Sequence, residues 1–240
     1  LVRVWDADNG QALTDPLPHR SVDGHVFAAY FSRDDRWLVS FGYDQTVRVW
    51  DVAAGRPAFP PLHVSRGVSD AQFHPDNQTL AAAVWDGELR RWKVEDGSPT
   101  GGLIVQKDNL YSFDLAPDGQ RLVAGGSSGV AMVWRLDVPG SEARVFPHEG
   151  AILDHRLGRD GRHMVTACTD YAVRVWDLES SQTVTPPLVH PHRVMQAVMS
   201  PDGRRVATAC LDWTARLWDT RSGREIVPPL GHSNTVWSVE

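Results

Sequence analysis

An all-β fold, built from one recurring four-stranded antiparallel unit, is the fold class this sequence predicts. Three observations predict it. Tryptophans stand at Trp5, Trp50, Trp92, Trp134, Trp176 and Trp218, the first interval being 45 residues and the next four 42 each. A fixed period of this length marks a repeat architecture and governs every later assignment. Around these tryptophans one stretch is rewritten: YDQTVRVWD at Tyr43 to Asp51, TDYAVRVWD at Thr169 to Asp177 and LDWTARLWD at Leu211 to Asp219. Weaker copies lie at Trp85 to Lys93 and Ser127 to Arg135, and LVRVWD opens the chain. Finally, short alternating apolar runs are separated by turn residues, and helical 3.6 spacing finds no support.

The last full unit shows the grammar. Val194 to Met199 is strand a, and Ser200-Pro201-Asp202-Gly203 is a turn in which proline presets φ and glycine accepts a positive φ. Arg205 to Cys210 alternates as strand b, Leu211-Asp212-Trp213 turns, and Thr214 to Asp219 alternates as strand c. A further turn at Thr220 to Gly223 leads to Glu225 to Leu230 as strand d. The same grammar gives four more units, with a–b turns SRDD (Ser32 to Asp35), HPDN (His74 to Asn77), APDG (Ala116 to Gly119) and GRDG (Gly158 to Gly161). Their fourth strands end near Leu62, Leu103, Phe146 and Leu188. Three of the five carry Pro-Pro-Leu, at Pro60 to Leu62, Pro186 to Leu188 and Pro228 to Leu230. Proline cannot donate to a ladder, so strand d belongs at the outer edge.

A lone meander with two apolar faces cannot bury both. Stacked radially, each sheet covers its neighbour, which gives a β-propeller. The motifs TVRVWD, TARLWD and SPDG, with the dipeptides Gly24-His25 and Gly231-His232, resemble the WD-repeat β-propeller family over essentially the whole chain. The Pro-Pro-Leu-x-His linkers and Arg-rich strands resemble bacterial WD-repeat proteins, whose arrays often follow a kinase or other signalling domain.

The segmentation expected is a single propeller segment over 1–240. Residues 1–19 end one blade; 20–63, 64–105, 106–147, 148–189 and 190–231 are full repeats; and 232–240 start the next. Five blades are complete and two partial, since the chain opens in a third strand and stops at Glu240 after a first strand. The expectation is a fragment of a larger array: six blades would need about 15 more residues at this period and seven about 54, and the resemblance to the family favours seven.

Composition narrows the function. Apolar residues are 42% and charged residues 22% of the 240, the balance of a soluble globular chain. A net charge of −6 argues against a nucleic-acid backbone as main partner, which needs a basic face. No apolar run approaches a membrane span. Cys168 and Cys210 occupy equivalent repeat positions, so they read as small buried residues rather than a disulfide, and a reducing cytoplasm fits.

Several residue groups look chemical. In the family resembled, a histidine before strand a, a Ser or Thr in strand b, an Asp in the b–c turn and the strand-c Trp form a structural tetrad. Three blades carry it: His25 (or His19), Ser40, Asp44 and Trp50; His148, Thr166, Asp170 and Trp176; His190, Thr208, Asp212 and Trp218. The Trp92 blade has Val64, Ala82 and Asp86, and the Trp134 blade Gln106, Ala124 and Ser128. A nucleophile would be one unique, exposed, activated hydroxyl, whereas three repeated copies serve a scaffold. Ten histidines raise metal binding, yet only His190 and His192 are close and no closed-site spacing exists; neither metal nor cofactor is expected. The arginines two before tryptophan (Arg3, Arg48, Arg90, Arg174 and Arg216) are expected to pack their stems along the ring.

Positions free of the repeat are more informative. One set precedes the tetrad Asp and another follows the first apolar residue of strand a; in the family both lie on the top face, where partners dock. Here they include Phe27, Tyr43, Trp85, Tyr111, Leu153, Met195, Leu211 and Trp237, with Trp213 and Tyr171 beside them. Large apolar anchors of this kind are enriched at interface cores. The blades of Trp92 and Trp134, which also replace the Asp after Trp by Lys93 and Arg135, are a candidate docking region. The expected function is a non-enzymatic scaffold that binds a protein or peptide on the top face, with no role for nucleic acid, membrane or metal. The alternative is a regulatory or sensor tail of a larger signalling enzyme, such as a bacterial Ser/Thr kinase. A catalytic propeller would instead use strand-a carboxylates (Asp70, Asp114, Asp154) converging on the channel.

Overall fold

The structure, a computed structural model, describes residues 1–19, 25–100, 104–105, 109–138 and 142–239. Gly24, Leu103 and Gln106, named above, lie outside them, as does Glu240. Alternation of apolar and polar residues over six-residue runs yields strands, and short turns yield antiparallel order. Five such sheets are described. The first holds β1 (Val26–Phe31), β2 (Trp37–Gly42), β3 (Thr46–Asp51) and the short β4 (Arg56–Pro57) and β5 (Leu62–His63). The second holds β6 (Val68–Phe73), β7 (Thr79–Val84), β8 (Glu88–Lys93) and β9 (Ile104–Val105). The third holds β10 (Leu110–Leu115), β11 (Arg121–Gly126), β12 (Val130–Arg135) and β13 (Arg144–Pro147). The fourth holds β14 (Ile152–Leu157), β15 (His163–Cys168), β16 (Ala172–Asp177) and β17 (Leu188–Val189). The fifth holds β18 (Val194–Met199), β19 (Arg205–Cys210), β20 (Thr214–Asp219) and β21 (Leu230–Gly231). Each sheet is a meander in sequence order, and no helix occurs among the described residues.

The outer strand departs from the six-residue run expected. Strand d of the fifth sheet touches strand c only at the bridge of Trp218 with Glu225 and again at Leu230–Gly231. The first sheet repeats this at Trp50 with Pro57 and at Leu62–His63. Between the two contacts lies Pro-Pro, which has no N–H to donate. The third sheet lacks that dipeptide, and its β13 pairs continuously with β12 over four residues.

The chain divides into two compact units, residues 1–110 and 111–240. In the first, Val39, Phe41 and Val49 pack on Val68, Leu80 and Trp92, so the first two sheets share one core. Val4 and Leu17 cover Leu38 and Trp50 from the other side. In the second, Val123, Val133 and Phe146 pack on Ile152, Met164 and Trp176. Val165, Val173 and Leu188 pack on Val194, Val206 and Trp218. Within a unit each sheet thus buries at least one face against a sequence neighbour.

Candidate protein-docking site

The strand-a residues singled out above share a backbone cause. Pairing of strand a with strand b slips by one residue between Val26 and Ala28, Val68 and Asp70, Ile152 and Asp154, and Val194 and Gln196. The extra residue of each bulge is Phe27, Ser69, Leu153 or Met195. A bulge leaves its residue unpaired and re-aims the side chain, here toward the b–c-turn end of the sheet.

In the first unit three of these side chains meet. Phe27 packs on Tyr43 with ring centroids 4.4 Å apart, Tyr43 on Trp85 at 5.6 Å, and Phe27 on Trp85 at 6.0 Å. Trp85 is half-buried and lies against Gly67, where an added Cβ would stand 2.8 Å from the indole. Yet Phe27 is 42% and Tyr43 51% exposed. Tyr111, Trp213, Tyr171 and Trp237 are exposed in the second unit, and Leu153, Met195 and Leu211 are half-buried there.

The hydroxyl networks lie deeper. His19, not His25, completes the first. Its Nδ1–H donates to Asp44 at 3.0 Å, and its Nε2 accepts from the Ser40 hydroxyl at 2.7 Å. The same hydroxyl accepts the Trp50 indole N–H at 2.7 Å. His25 is exposed beside the Tyr43 ring, because its carbonyl accepts the Tyr43 N–H and so fixes it at the rim. The signal was in the spacing: histidine and hydroxyl are 21 residues apart here and 18 in the other two networks. Those three residues match the excess of the 45-residue interval.

The other two networks are not closed tetrads. Thr166 accepts from Trp176 at 2.9 Å and donates to His148 at 2.7 Å; Thr208 bonds Trp218 and His190 in the same way. The histidine Nδ1–H, however, donates to a backbone carbonyl, of Phe146 or Leu188, at 2.9 Å. Asp170 and Asp212 instead accept Arg174 and Arg216, each at 2.7 Å. In these two sheets the guanidinium of the arginine two before tryptophan therefore captures the aspartate; the Arg3 guanidinium lies over its Trp5, 5.3 Å from the ring centroid. Burial, aided by Arg174, lowers the His148 pKa to about 4, and burial lowers that of His190 to about 4 as well, so both are neutral. Ser40, Thr166 and Thr208 are wholly buried with both hydrogen-bonding roles used, so none of these three hydroxyls is placed to attack a substrate. In the second sheet, buried Val64 and Ala82 replace histidine and hydroxyl together, so neither is orphaned, and Asp86 accepts Ser65 instead.

The strand-a carboxylates also have structural work. Asp114 accepts the Leu157 N–H at 2.8 Å, and Asp154 accepts the Ala197 N–H at 3.1 Å. Gln196 accepts the Val239 N–H in the same manner at 2.8 Å. Asp114 and Asp154 thus each clasp the next strand a, whereas Val239 lies outside the strands. Burial pushes Asp114 up to about 6 and raises Asp154. Asp70 accepts Gln72 at 3.0 Å. Cys168 and Cys210 are buried free thiols whose S–H groups reach the carbonyls of Gly150 and His192.

The family profile for "WD domain, G-beta repeat" matches five times, at residues 17–51, 60–93, 97–135, 140–177 and 184–219. The chain belongs to the WD-repeat family. Each match ends one residue after the tryptophan of strand c and, from the second on, begins before the last strand of the preceding sheet, so each of these WD repeats spans that strand and strands a to c of the next sheet. Repeats of this family commonly serve as protein-interaction scaffolds. The chain is also similar to the target of rapamycin complex subunit LST8 of Saccharomyces cerevisiae, with 37% identity over 62 residues. That likeness covers 25% of this WD-repeat chain and 18% of the yeast protein.

Proposed function

We propose that this WD-repeat chain is a non-enzymatic scaffold that holds a protein or peptide on the aromatic side chains at the b–c-turn ends of its sheets. The observation that carries the reading is the Phe27, Tyr43 and Trp85 cluster: three rings packed on one another, with two of them about half open to solvent. Rings held by their neighbours lose little further freedom on binding, and aromatic anchors of this kind dominate interface energetics. The likeness to a subunit of a complex agrees with a docking role.

The test is affinity capture with a Phe27→Ala, Trp85→Ala double variant and, separately, Gly67→Val, which keeps all three rings but displaces Trp85 by intruding on its indole. Both should lose the partners that wild type retains while keeping its β-sheet circular dichroism. Undiminished capture by both would move the docking site elsewhere.

A further inference from the structure

In the b–c turns one position takes a left-handed backbone in every sheet: Gln45, Gly87, Gly129, Tyr171 and Trp213, at φ of 56°, 87°, 73°, 69° and 68°. Glycine adopts this conformation freely, whereas a bulky side chain is an outlier there. Tyr171 and Trp213 nonetheless occupy it, and the rings do not repay the strain by burial, being 43% and 54% exposed. The backbone is held in place: the Tyr171 carbonyl accepts the His190 N–H at 2.9 Å and the Trp213 carbonyl that of His232 at 2.8 Å. Strain kept at an exposed aromatic points to a task outside the fold.

The surroundings say what kind. The His192 ring stacks on Tyr171 at 5.8 Å and 26°, and the next residue, Arg193, accepts the Leu211 N–H on its carbonyl, two residues before Trp213. One stripe therefore runs from Tyr171 through His192 and Arg193 to Leu211 and Trp213. His192, Arg193 and His232 are exposed. The carboxylates of the b–c turns here, Asp170 and Asp212, are neutralised by Arg174 and Arg216. A chain of net charge −6 thus presents exposed basic side chains between exposed aromatics, with the carboxylates of both turns already paired.

We infer that this stripe is a docking surface for an acidic peptide segment, whose carboxylates meet Arg193 and the neighbouring imidazoles and whose apolar side chains lie on Tyr171 and Trp213. The inference rests on the scaffold reading above and names a partner chemistry on the second unit.

The experiment selects a randomised dodecapeptide library on the full wild-type chain and measures the enriched peptides on variants by fluorescence anisotropy. Enriched peptides should be net acidic with apolar residues. Arg193→Glu and the Tyr171→Gly, Trp213→Gly double variant should each weaken them at least tenfold. The double variant should also melt no lower than wild type, because glycine relieves the left-handed strain; a merely structural role for the rings would lower the melting temperature. Selection of basic peptides or of none, undiminished binding by the double variant, a fall in its melting temperature, or binding of labelled oligothymidylate at similar strength would each overturn the inference. Because Phe27→Ala, Trp85→Ala leaves this stripe intact, failure here and failure of the scaffold reading are separable.

Discussion

Asp170 and Asp212 each accept a guanidinium N–H at 2.7 Å, and the arginines they hold are largely buried, with side chains 13% and 8% exposed. Removing one carboxylate strands a charge, so Asp170→Ala should cost about 1–3 kcal/mol in urea unfolding. Adding Arg174→Met should cost less than the sum of the two single changes, and strict additivity would deny the coupling. The histidines predict a pH dependence of definite sign. Unfolded, His148 and His190 titrate at 6.5; folded, at about 4. Between these values the unfolded chain binds more protons, so stability is complete above 6.5 and declines as pH falls toward 4. Each histidine contributes on the order of 3 kcal/mol across that window. His148→Gln should therefore flatten the dependence of unfolding free energy on pH between 7 and 4.5, and a slope equal to that of wild type would exclude His148 as a source.

Between elements, the strand-a clasps set a different balance. Asp114 has an ordinary value of 3.8 and a folded value of about 6, so the folded chain binds more protons between them. Its contribution is most favourable below 3.8 and is lost as pH rises through 6. Asn keeps an acceptor for the Leu157 N–H and removes the buried charge. Asp114→Asn is accordingly expected to raise the melting temperature at pH 7, by on the order of 2 kcal/mol in stability, and to give no gain at pH 4. A variant less stable than wild type at pH 7 would mean that the charge itself holds the strands. The bulges belong to the same scale, since the unpaired residue of β1 is what carries Phe27 out to Tyr43 and Trp85.

Across each unit the sheets share cores with their neighbours, as repeat arrays must when no single sheet can bury both its faces. Leu188 on the outer strand of the fourth sheet is 1% exposed and belongs to the core shared with the fifth. Leu188→Ala should cost about 2–5 kcal/mol and reduce amide-exchange protection in β18 and β19 as well as in β16; a loss confined to the fourth sheet would refute the shared core. How much of this was legible beforehand depends on the range of the forces involved. The 42-residue period, the turn residues and the alternation determined the all-β class, the bounds of strands a, b and c of the last unit and the edge position of the proline-bearing strands, because these follow from local backbone preferences that repeat. The aromatic positions were legible too, as residues the repeat does not need. The choice of His19 over His25 was also legible, in the three extra residues of the first interval; only the tertiary structure decided that Arg174 and Arg216 take the aspartates from their histidines, and that Asp114 and Asp154 clasp neighbouring strands. The same holds for which aromatics touch and for the left-handed backbone under Tyr171 and Trp213. Each is a competition among polar groups or rings brought together from distant parts of the chain, and its outcome depends on distances of a few tenths of an ångström that no spacing in the sequence records.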